Sequence, residues 1–306
     1  MESRRCGFHQ TSWALGVLYV SYYRFCRSDD IALLVDALNR CWSPYFPDEP
    51  PVTPAAFKRS IRDLQVWCSS CMVAFSGSAP IGVLIGAKRP SGTLVHKIAV
   101  HPDHRRQGHG RHLLTSLGSK LAILGPPRIV AEVSESLAAA CGLFSACGYV
   151  EEAVLTDYVL EQPALSERGG AARVEGFVIP VTVDDLAANG LLGEADPQVC
   201  WERSVETLTA RKDDIAGLAV ASDDRIEAYL LYVKCGMGVE IVSLRTFIED
   251  GGARLRQLLS RLRAQGMRTF RFPKVHPAEI SKEFLETLGF RPAGGHLLYA
   301  ARARSE

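Results

Sequence analysis

The chain has 306 residues, 47% apolar and 23% charged, with a net charge of +1. That composition is globular rather than disordered, and the length suggests two domains at roughly 100–200 residues each. Near-neutral charge argues against bulk attraction to nucleic acid or to an anionic membrane surface, and no apolar run reaches the roughly 18–20 residues that span a bilayer. Nine cysteines, an odd number spread over two domain-sized stretches, argue for reduced thiols and hence a cytoplasmic setting.

Residues 1–15 read as a leader. The apolar stretch 13–23 is interrupted by Ser21 and by tyrosines and lacks a small-residue cleavage site, so a first strand over 16–25 is preferred to an export signal. Ser28-Asp29-Asp30 then marks a helix start, with Ile31, Leu34, Val35 and Leu38 at helical spacing up to Cys41. Pro44, Pro47, Pro50 and Pro51 break the chain into a loop, and Thr53-Pro54 opens a second helix with Phe57, Ile61 and Leu64 on its apolar side. Trp67-Cys68-Ser69-Ser70-Cys71 has the spacing of a redox pair, but it follows a helix and opens a strand, the reverse of the order that such a site needs. MVAF-SGSAP-IGVLIGA reads as a hairpin, and Ser91-Gly92 turns the chain into a strand over 93–100.

Residues 97–117, KIAVHPDHRRQGHGRHLLTSL, hold the strongest chemical signal. A strand ends at Val100, a turn carries Arg105, Arg106, Gln107, Gly108, His109 and Gly110, and a helix follows with Leu113, Leu114, Leu117 and Leu121. The first N–H groups of a helix lack intrahelical partners and sit at the positive end of its dipole. Glycines let a ligand approach the backbone, and arginines donate charge-assisted hydrogen bonds to phosphate oxygens. Together these make an anion cradle suited to a pyrophosphate. The P-loop pattern G-x-x-x-x-G-K-[ST] is absent, and the dinucleotide pattern G-x-G-x-x-G fails at Leu113. The pattern V-x-P-x-x-R-x-x-G-x-G reads without a gap as Val100, Pro102, Arg105, Gly108 and Gly110. It closely resembles the coenzyme A signature of the GNAT superfamily of N-acetyltransferases.

The rest of the first half fits that resemblance. A strand over 128–133, a helix over 137–147 stopped by Gly148, and a strand over 152–160 complete the order strand, two helices, three strands, helix, strand, helix, strand. That is α+β on a mixed, mostly antiparallel twisted sheet flanked by helices, which is also the order of the GNAT fold. The resemblance covers residues 16–160. Residues 161–172 (EQPALSERGGAA) read as a linker.

Residues 173–306 repeat the plan. Strands are expected over 174–181, 218–220, 226–234, 239–244, 269–272 and 297–300, and helices from Thr182, over 197–210, over 253–264 and over 278–288. Gly148-Tyr149 and Gly289-Phe290 lie 141 residues apart, as do Tyr158 and Tyr299. This is an internal duplication, the plan of tandem GNAT proteins such as the mycothiol synthases. At the same offset Arg105 faces Thr246 and Gly108 faces Glu249. A glutamate would repel pyrophosphate, so the second copy is expected to be degenerate and not to bind coenzyme A.

The resemblance implies acetyl-CoA, or another acyl-CoA, as co-substrate and no metal. The acceptor is then an amine of a small molecule or peptide, and the two copies pairing internally imply a monomer. Nucleic-acid and membrane partners are not expected. By resemblance, Ile98, Ala99 and Val100 would pair with the pantetheine arm, and Arg105, Arg106, Gln107, Gly108, His109, Gly110 and Arg111 would hold the pyrophosphate. His96, Glu132 and Glu135 are the candidate bases, with Lys97 a fourth that would need desolvation. The family's usual tyrosine is replaced by Phe144, which leaves Tyr149 and Tyr158 as candidate acids or as core aromatics. Tyr45, Phe46, Asp48 and Glu49 are expected to line the acceptor pocket, or else to form a solvated loop. His101, His104, His109 and His112 have loose spacing for a metal and read as phosphate-facing or solvated. The rival to an acetyltransferase is an acyl-CoA-binding sensor or interaction module without catalysis.

Overall fold

A computed structural model describes residues 21–161, 176–193 and 199–304. The leader, the first five residues of the expected first strand, and the linker from residue 162 lie outside the described residues. The first half runs β1 (Ser21–Phe25), α1 (Ile31–Cys41), α2 (Pro54–Leu64), β2 (Met72–Ser76), β3 (Ala79–Arg89), β4 (Gly92–Val100), α3 (His109–Leu124), β5 (Arg128–Ser134), α4 (Ala138–Ala146) and β6 (Val150–Glu161). The second runs β7 (Phe177–Val181), α5 (Val183–Ala188), α6 (Val205–Ala210), β8 (Ala216–Ala221), β9 (Ile226–Cys235), β10 (Gly238–Thr246), α7 (Ala253–Ala264), β11 (Thr269–Val275), α8 (Lys282–Thr287) and β12 (Arg291–Arg302).

Local chemistry accounts for most of these elements. Thr53 caps α2 by accepting from Ala56 N–H at 3.1 Å, with Pro54 in the first turn. Thr182 and Asp185 form a reciprocal capping box on α5. Helix α3 buries Leu113, Leu114, Leu117 and Leu121, each side chain contributing about 1.5–3 kcal/mol of burial. Asp30, by contrast, makes no side-chain cap on α1; it accepts both Arg24 Nη1 and Nη2, at 2.9 and 2.8 Å. The helix expected over 197–210 is shorter. Residues 201–203 form a 3₁₀ turn, and Ser204 starts α6 by capping Thr207 N–H.

The sequence places β6 and β12 as the last strands of their own copies, and the structure exchanges them. All strands form one sheet in the order β1-β2-β3-β4-β5-β12-β6-β11-β10-β9-β8-β7. β12 lies antiparallel to β5, from His296 opposite Ser134 to Arg302 opposite Arg128. β6 lies antiparallel to β11, and β6 and β12 pair with each other at the centre. The cores follow the exchange. Tyr299 of β12 is buried with Leu113, Leu117, Phe144 and Tyr149 of the first copy, while Tyr158 and Leu160 of β6 are buried with Leu258, Phe270 and Phe272 of the second. Residue 160 is therefore a boundary in sequence and not in space. β12 also extends over twelve residues where four were expected, because it has a ladder partner on each side.

A buried arginine fastens the copies on the face carrying α2 and α6. Arg89, at the end of β3, donates to Gln65 Oε1 at 2.8 Å, Ser204 Oγ at 2.6 Å and Thr207 Oγ1 at 2.6 Å. Its guanidinium lies 4.0 Å from the Trp201 ring centroid. Cys71 is fully buried with its thiol pushed up by desolvation, which is a core residue's state and not that of a redox pair. No helix among the described residues is long and apolar enough to cross a membrane.

Candidate functional site

The parallel neighbours β4 and β5 pair only at Thr93–Ile129 and Leu94–Val130. Beyond that point they part, and the chain leaving β4 turns across the gap into α3. Arg106 has φ of 62° and Gly108 has φ of 87°. Two left-handed residues so close together turn successive amides toward one side, the geometry of an anion nest. A left-handed Arg costs about 1–2 kcal/mol relative to its right-handed form, and such strain gathers at functional sites. A Cβ added to Gly108 would meet nothing within 4 Å, so the space before the helix is open. Among the described residues, the N–H groups of 106–111 meet no main-chain or side-chain acceptor. His109 is buried at the first turn, with Nδ1 on the Tyr23 hydroxyl at 2.6 Å and Nε2 without a partner among the described residues. These open donors fit a pyrophosphate.

The cradle opens into a cleft of about 610 Å³ lined by Ile98, Ala99, Val100, Arg105, Arg106, Gly108, His109, Gly110 and Arg111, with α4 residues such as Leu137 and Leu143 opposite. Gln107 is not part of this lining. Gly110 plays a different part from Gly108. A Cβ there would come 3.0 Å from Leu143, so this glycine lets α3 approach α4. On the other wall, Trp42, Tyr45 and Phe46 line the cleft. Tyr45 donates its hydroxyl to Val100 O at 2.6 Å, which pins the loop between α1 and α2 to the end of β4. Asp48 is exposed and lies outside the lining. Glu49 accepts from Trp42 Nε1 at 3.0 Å and stands 3.8 Å from Lys97 Nζ.

The second copy ends this plan differently. Gly252 has φ of 81° and stands at the N-cap of α7, as Gly108 does for α3. Seven residues, 101–107, separate β4 from its cap, whereas five, 247–251, separate β10 from Gly252. The counterpart of Gly108 is therefore Gly252 and not Glu249, and the fixed offset of 141 does not hold through the cradle. Asp250 fills the place of a ligand. Its carboxylate accepts from Gly252 N–H at 2.9 Å, Ala253 N–H at 3.1 Å and Arg254 N–H at 3.0 Å. The Arg254 side chain adds a contact at 2.9 Å and is itself tied to Glu227. The second copy is closed by its own anion.

The catalytic candidates part company. His96 lies at a β-bulge, the unpaired residue between Val95 and Lys97 where β4 shifts register against β3. A bulge re-aims side chains, so His96 does not share the phase of Ile98 as simple alternation expects. Burial pushes its imidazole down to about 4, with Glu202 acting against that and Lys97 and Lys274 adding to it. His96 is thus neutral near pH 7. Glu132 is already engaged. Oε1 accepts from Trp201 N–H at 2.7 Å, and Oε2 is 3.1 Å from Lys274 Nζ. Glu135 is exposed; its N–H donates to Gly295 O at 3.0 Å, and its carboxylate lies over that glycine, which has no side chain to obstruct it. Lys97 lies 4.1 Å from the Trp42 ring centroid, and burial holds its ammonium below the usual lysine range.

Phe144 is buried and stacks on Tyr299 at 5.7 Å. The Tyr149 hydroxyl is buried without a partner among the described residues, and Tyr158 belongs to the second copy's core, so neither lines the cleft. Among the described residues no group of three or more His, Cys, Asp or Glu is arranged to hold a metal ion. Sequence reasoning missed Lys274, which the second copy brings to Glu132, and Glu202, which pairs with the same lysine. The one local signal is conformational, since Lys274 holds φ of 50° at a register shift in β11.

A sequence model of the acetyltransferase (GNAT) family matches residues 31–149. No curated protein matches the chain. Among solved structures, a GCN5-related N-acetyltransferase from Sphaerobacter thermophilus is similar at a TM-score of 0.64 and 15% identity, covering 93% of this chain and 96% of that one. A tandem GNAT protein from the clavulanic acid biosynthesis pathway is similar at 0.63 and 16%, covering 94% and 100%. A GCN5-related N-acetyltransferase from Anabaena variabilis is similar at 0.61 and 11%, covering 93% and 73%. With an intact cradle in one copy and a carboxylate seated in the other, the first copy carries an acetyltransferase (GNAT) family domain, and the chain as a whole shares the fold of a tandem GNAT protein.

Proposed function

We propose that the first copy binds acetyl-CoA and transfers its acetyl group to an amine of a small molecule or peptide. The observation that carries this reading is the contrast between the copies, one helix N-terminus with open amides and the other filled by Asp250. The N–H groups of 106–111, with Arg105 and Arg106, would hold the pyrophosphate, and the parted edge of β4 at Ile98 and Val100 would flank the pantetheine arm. Acetyl-CoA supplies the thioester and its thiolate leaving group. This chain's residues bind it, orient the carbonyl and remove a proton from the acceptor; positioning of this kind can supply much of the acceleration. His96 is the base that this reading favours, since Glu132 is engaged by Trp201 and Lys274 and Glu135 is exposed. Tyr45 and Phe46 form the wall on the acceptor side. Exchange of β6 and β12 within one chain supports a monomer.

Calorimetry with acetyl-CoA and thiol release across a panel of amines test this. The intact protein should bind one equivalent, and Gly108→Glu, with its fold checked by circular dichroism, should weaken binding by about 100-fold or more through charge repulsion and left-handed strain. Unchanged affinity would overturn the cradle assignment. Binding without turnover on any amine would overturn acetyl transfer.

A further inference from the structure

The cleft wall opposite α4 is an ordered aromatic stack. The chain leaving α1 folds into consecutive turns, with Tyr45 N–H on Trp42 O at 2.9 Å, Phe46 N–H on Ser43 O at 3.1 Å and Glu49 N–H on Phe46 O at 3.1 Å. These turns lay Phe46 on Trp42, with ring centroids 4.4 Å apart and planes 20° apart. Trp42 is held by two further contacts. Its Nε1 donates to Glu49 Oε2 at 3.0 Å, and Lys97 Nζ lies 4.1 Å from its ring centroid. With Phe46 and Lys97 both packed on Trp42, the outer face of Phe46 is what the stack offers a ligand. Phe46 is half-buried, lines the cleft and, unlike Trp42 and Tyr45, takes no part in the core beneath α1.

Charge narrows the occupant. Among the described residues that line the cleft there are three arginines and no aspartate or glutamate. The arginines belong to the cradle, and the facing wall of α4 is Leu137, Ala138, Ala139, Ala140 and Leu143. Glu49 and Glu132, on the bordering loop and strand, are already engaged, the first by Trp42 and Lys97 and the second by Trp201 and Lys274. Asp48 and Glu135 are exposed. A second ammonium on an acceptor would lose its water in this cleft without gaining a counterion. A flat apolar body would gain both burial and an offset-stacked partner.

We propose that the acceptor is an aryl-bearing monoamine and that Phe46 selects it, by stacking on the aryl ring while the amine reaches the thioester. This rests on the acetyl-transfer reading above. The amine nitrogen forms its bond to the acetyl carbon as the carbon–sulfur bond breaks. Of the two protons that the ammonium loses, one ends on sulfur and the other goes to water.

Phenethylamine, cyclohexylethylamine and spermidine test the ring, the bulk and the second charge in turn. In the full chain, thiol release should give a kcat/KM for phenethylamine about 3- to 10-fold above that for cyclohexylethylamine, the range that aromatic pairing adds beyond burial. It should exceed that for spermidine by about 100-fold or more. Phe46→Ala should raise the KM for phenethylamine by about 10-fold, abolish its advantage over cyclohexylethylamine, and leave the calorimetric affinity for acetyl-CoA unchanged; Phe46→Tyr should restore the advantage. Equal use of cyclohexylethylamine, a preference for spermidine, or a Phe46→Ala protein that still prefers phenethylamine overturns the proposal. Calorimetry of phenethylamine on the protein saturated with coenzyme A separates this from the underlying reading. Binding that Phe46→Ala weakens, with no turnover of any amine, overturns acetyl transfer and leaves the aryl site standing. Absence of both binding and turnover of phenethylamine overturns the aryl site.

Discussion

Tyr299 lies seven residues from the end of the chain, yet its ring belongs to the first copy. It is 4% exposed and stacks on Phe144 with centroids 5.7 Å apart and planes 16° apart. Tyr299→Ala empties a site bounded by α3, α4 and β5, and large aromatic truncations in such cores cost about 3–5 kcal/mol. Against a typical total of about 5–15 kcal/mol, that is a third or more of the stability. Urea unfolding measures the loss, and hydrogen exchange locates it. Amides of β4, α3, β5 and α4 should lose protection, while β8, β9 and β10 keep theirs. The mirror substitution Tyr158→Ala, in β6, should weaken β9–β11 and spare α3. Protection lost mainly within residues 205–290 in Tyr299→Ala, or a cost below about 1 kcal/mol, would refute the exchange of strands as the organising contact.

Two further outcomes follow from the same geometry. Arg89→Ala leaves Gln65, Ser204 and Thr207 without their donor at a buried junction, and should cost about 3 kcal/mol or more in urea unfolding. Arg89→Lys should recover little, because one ammonium cannot reproduce a planar fork with three separated acceptors. Asp250→Ala removes the acceptor of three amides at the start of α7 and should cost about 1–2 kcal/mol. It should leave acetyl-CoA stoichiometry at one per chain, because the loop there is two residues shorter and lacks the arginines; two equivalents by calorimetry would show that the carboxylate alone closes the site.

Legibility in the sequence followed the range of the interactions. The strand, turn and helix of the cradle are set by residues within about a dozen positions of each other. Apolar periodicity and two glycines therefore located α3 to within one residue of its start. The exchange of β6 and β12 left no local mark. Tyr158 and Tyr299 occupy matching positions in matching strands, and an alternating strand carries no label for the sheet it joins. The comparison of copies failed for a related reason. Gly-aromatic pairs near the ends of α4 and α8 fix an offset only where the intervening lengths match, and Gly252 to Gly289 spans 37 residues where Gly108 to Gly148 spans 40. His96 was recognised as a candidate, but its bulge was not, because an unpaired residue is visible only once β3 is laid beside β4. Glu202 and Lys274 lie in the other copy, and Lys274 meets Glu132 only through the fold.

The exchange also explains why a copy with a closed cradle persists in the chain. β12 supplies seven paired residues to β5, and ladder hydrogen bonds contribute a net of about 0.5–1.5 kcal/mol each, some 4–10 kcal/mol in all and comparable to a domain's entire stability. Loss of the cradle arginines in the second copy removes one binding site and leaves that ladder untouched. Asp250 even recovers part of the lost ligand's effect, because a carboxylate at a helix N-terminus satisfies the same amides that a phosphate would. Deleting the second copy would instead strip the first of a strand, of Tyr299 beneath Phe144, and of the lysine paired with Glu132. The two kinds of change are therefore unequal. Decay of the second site is tolerated, whereas removal of the second fold takes the first with it.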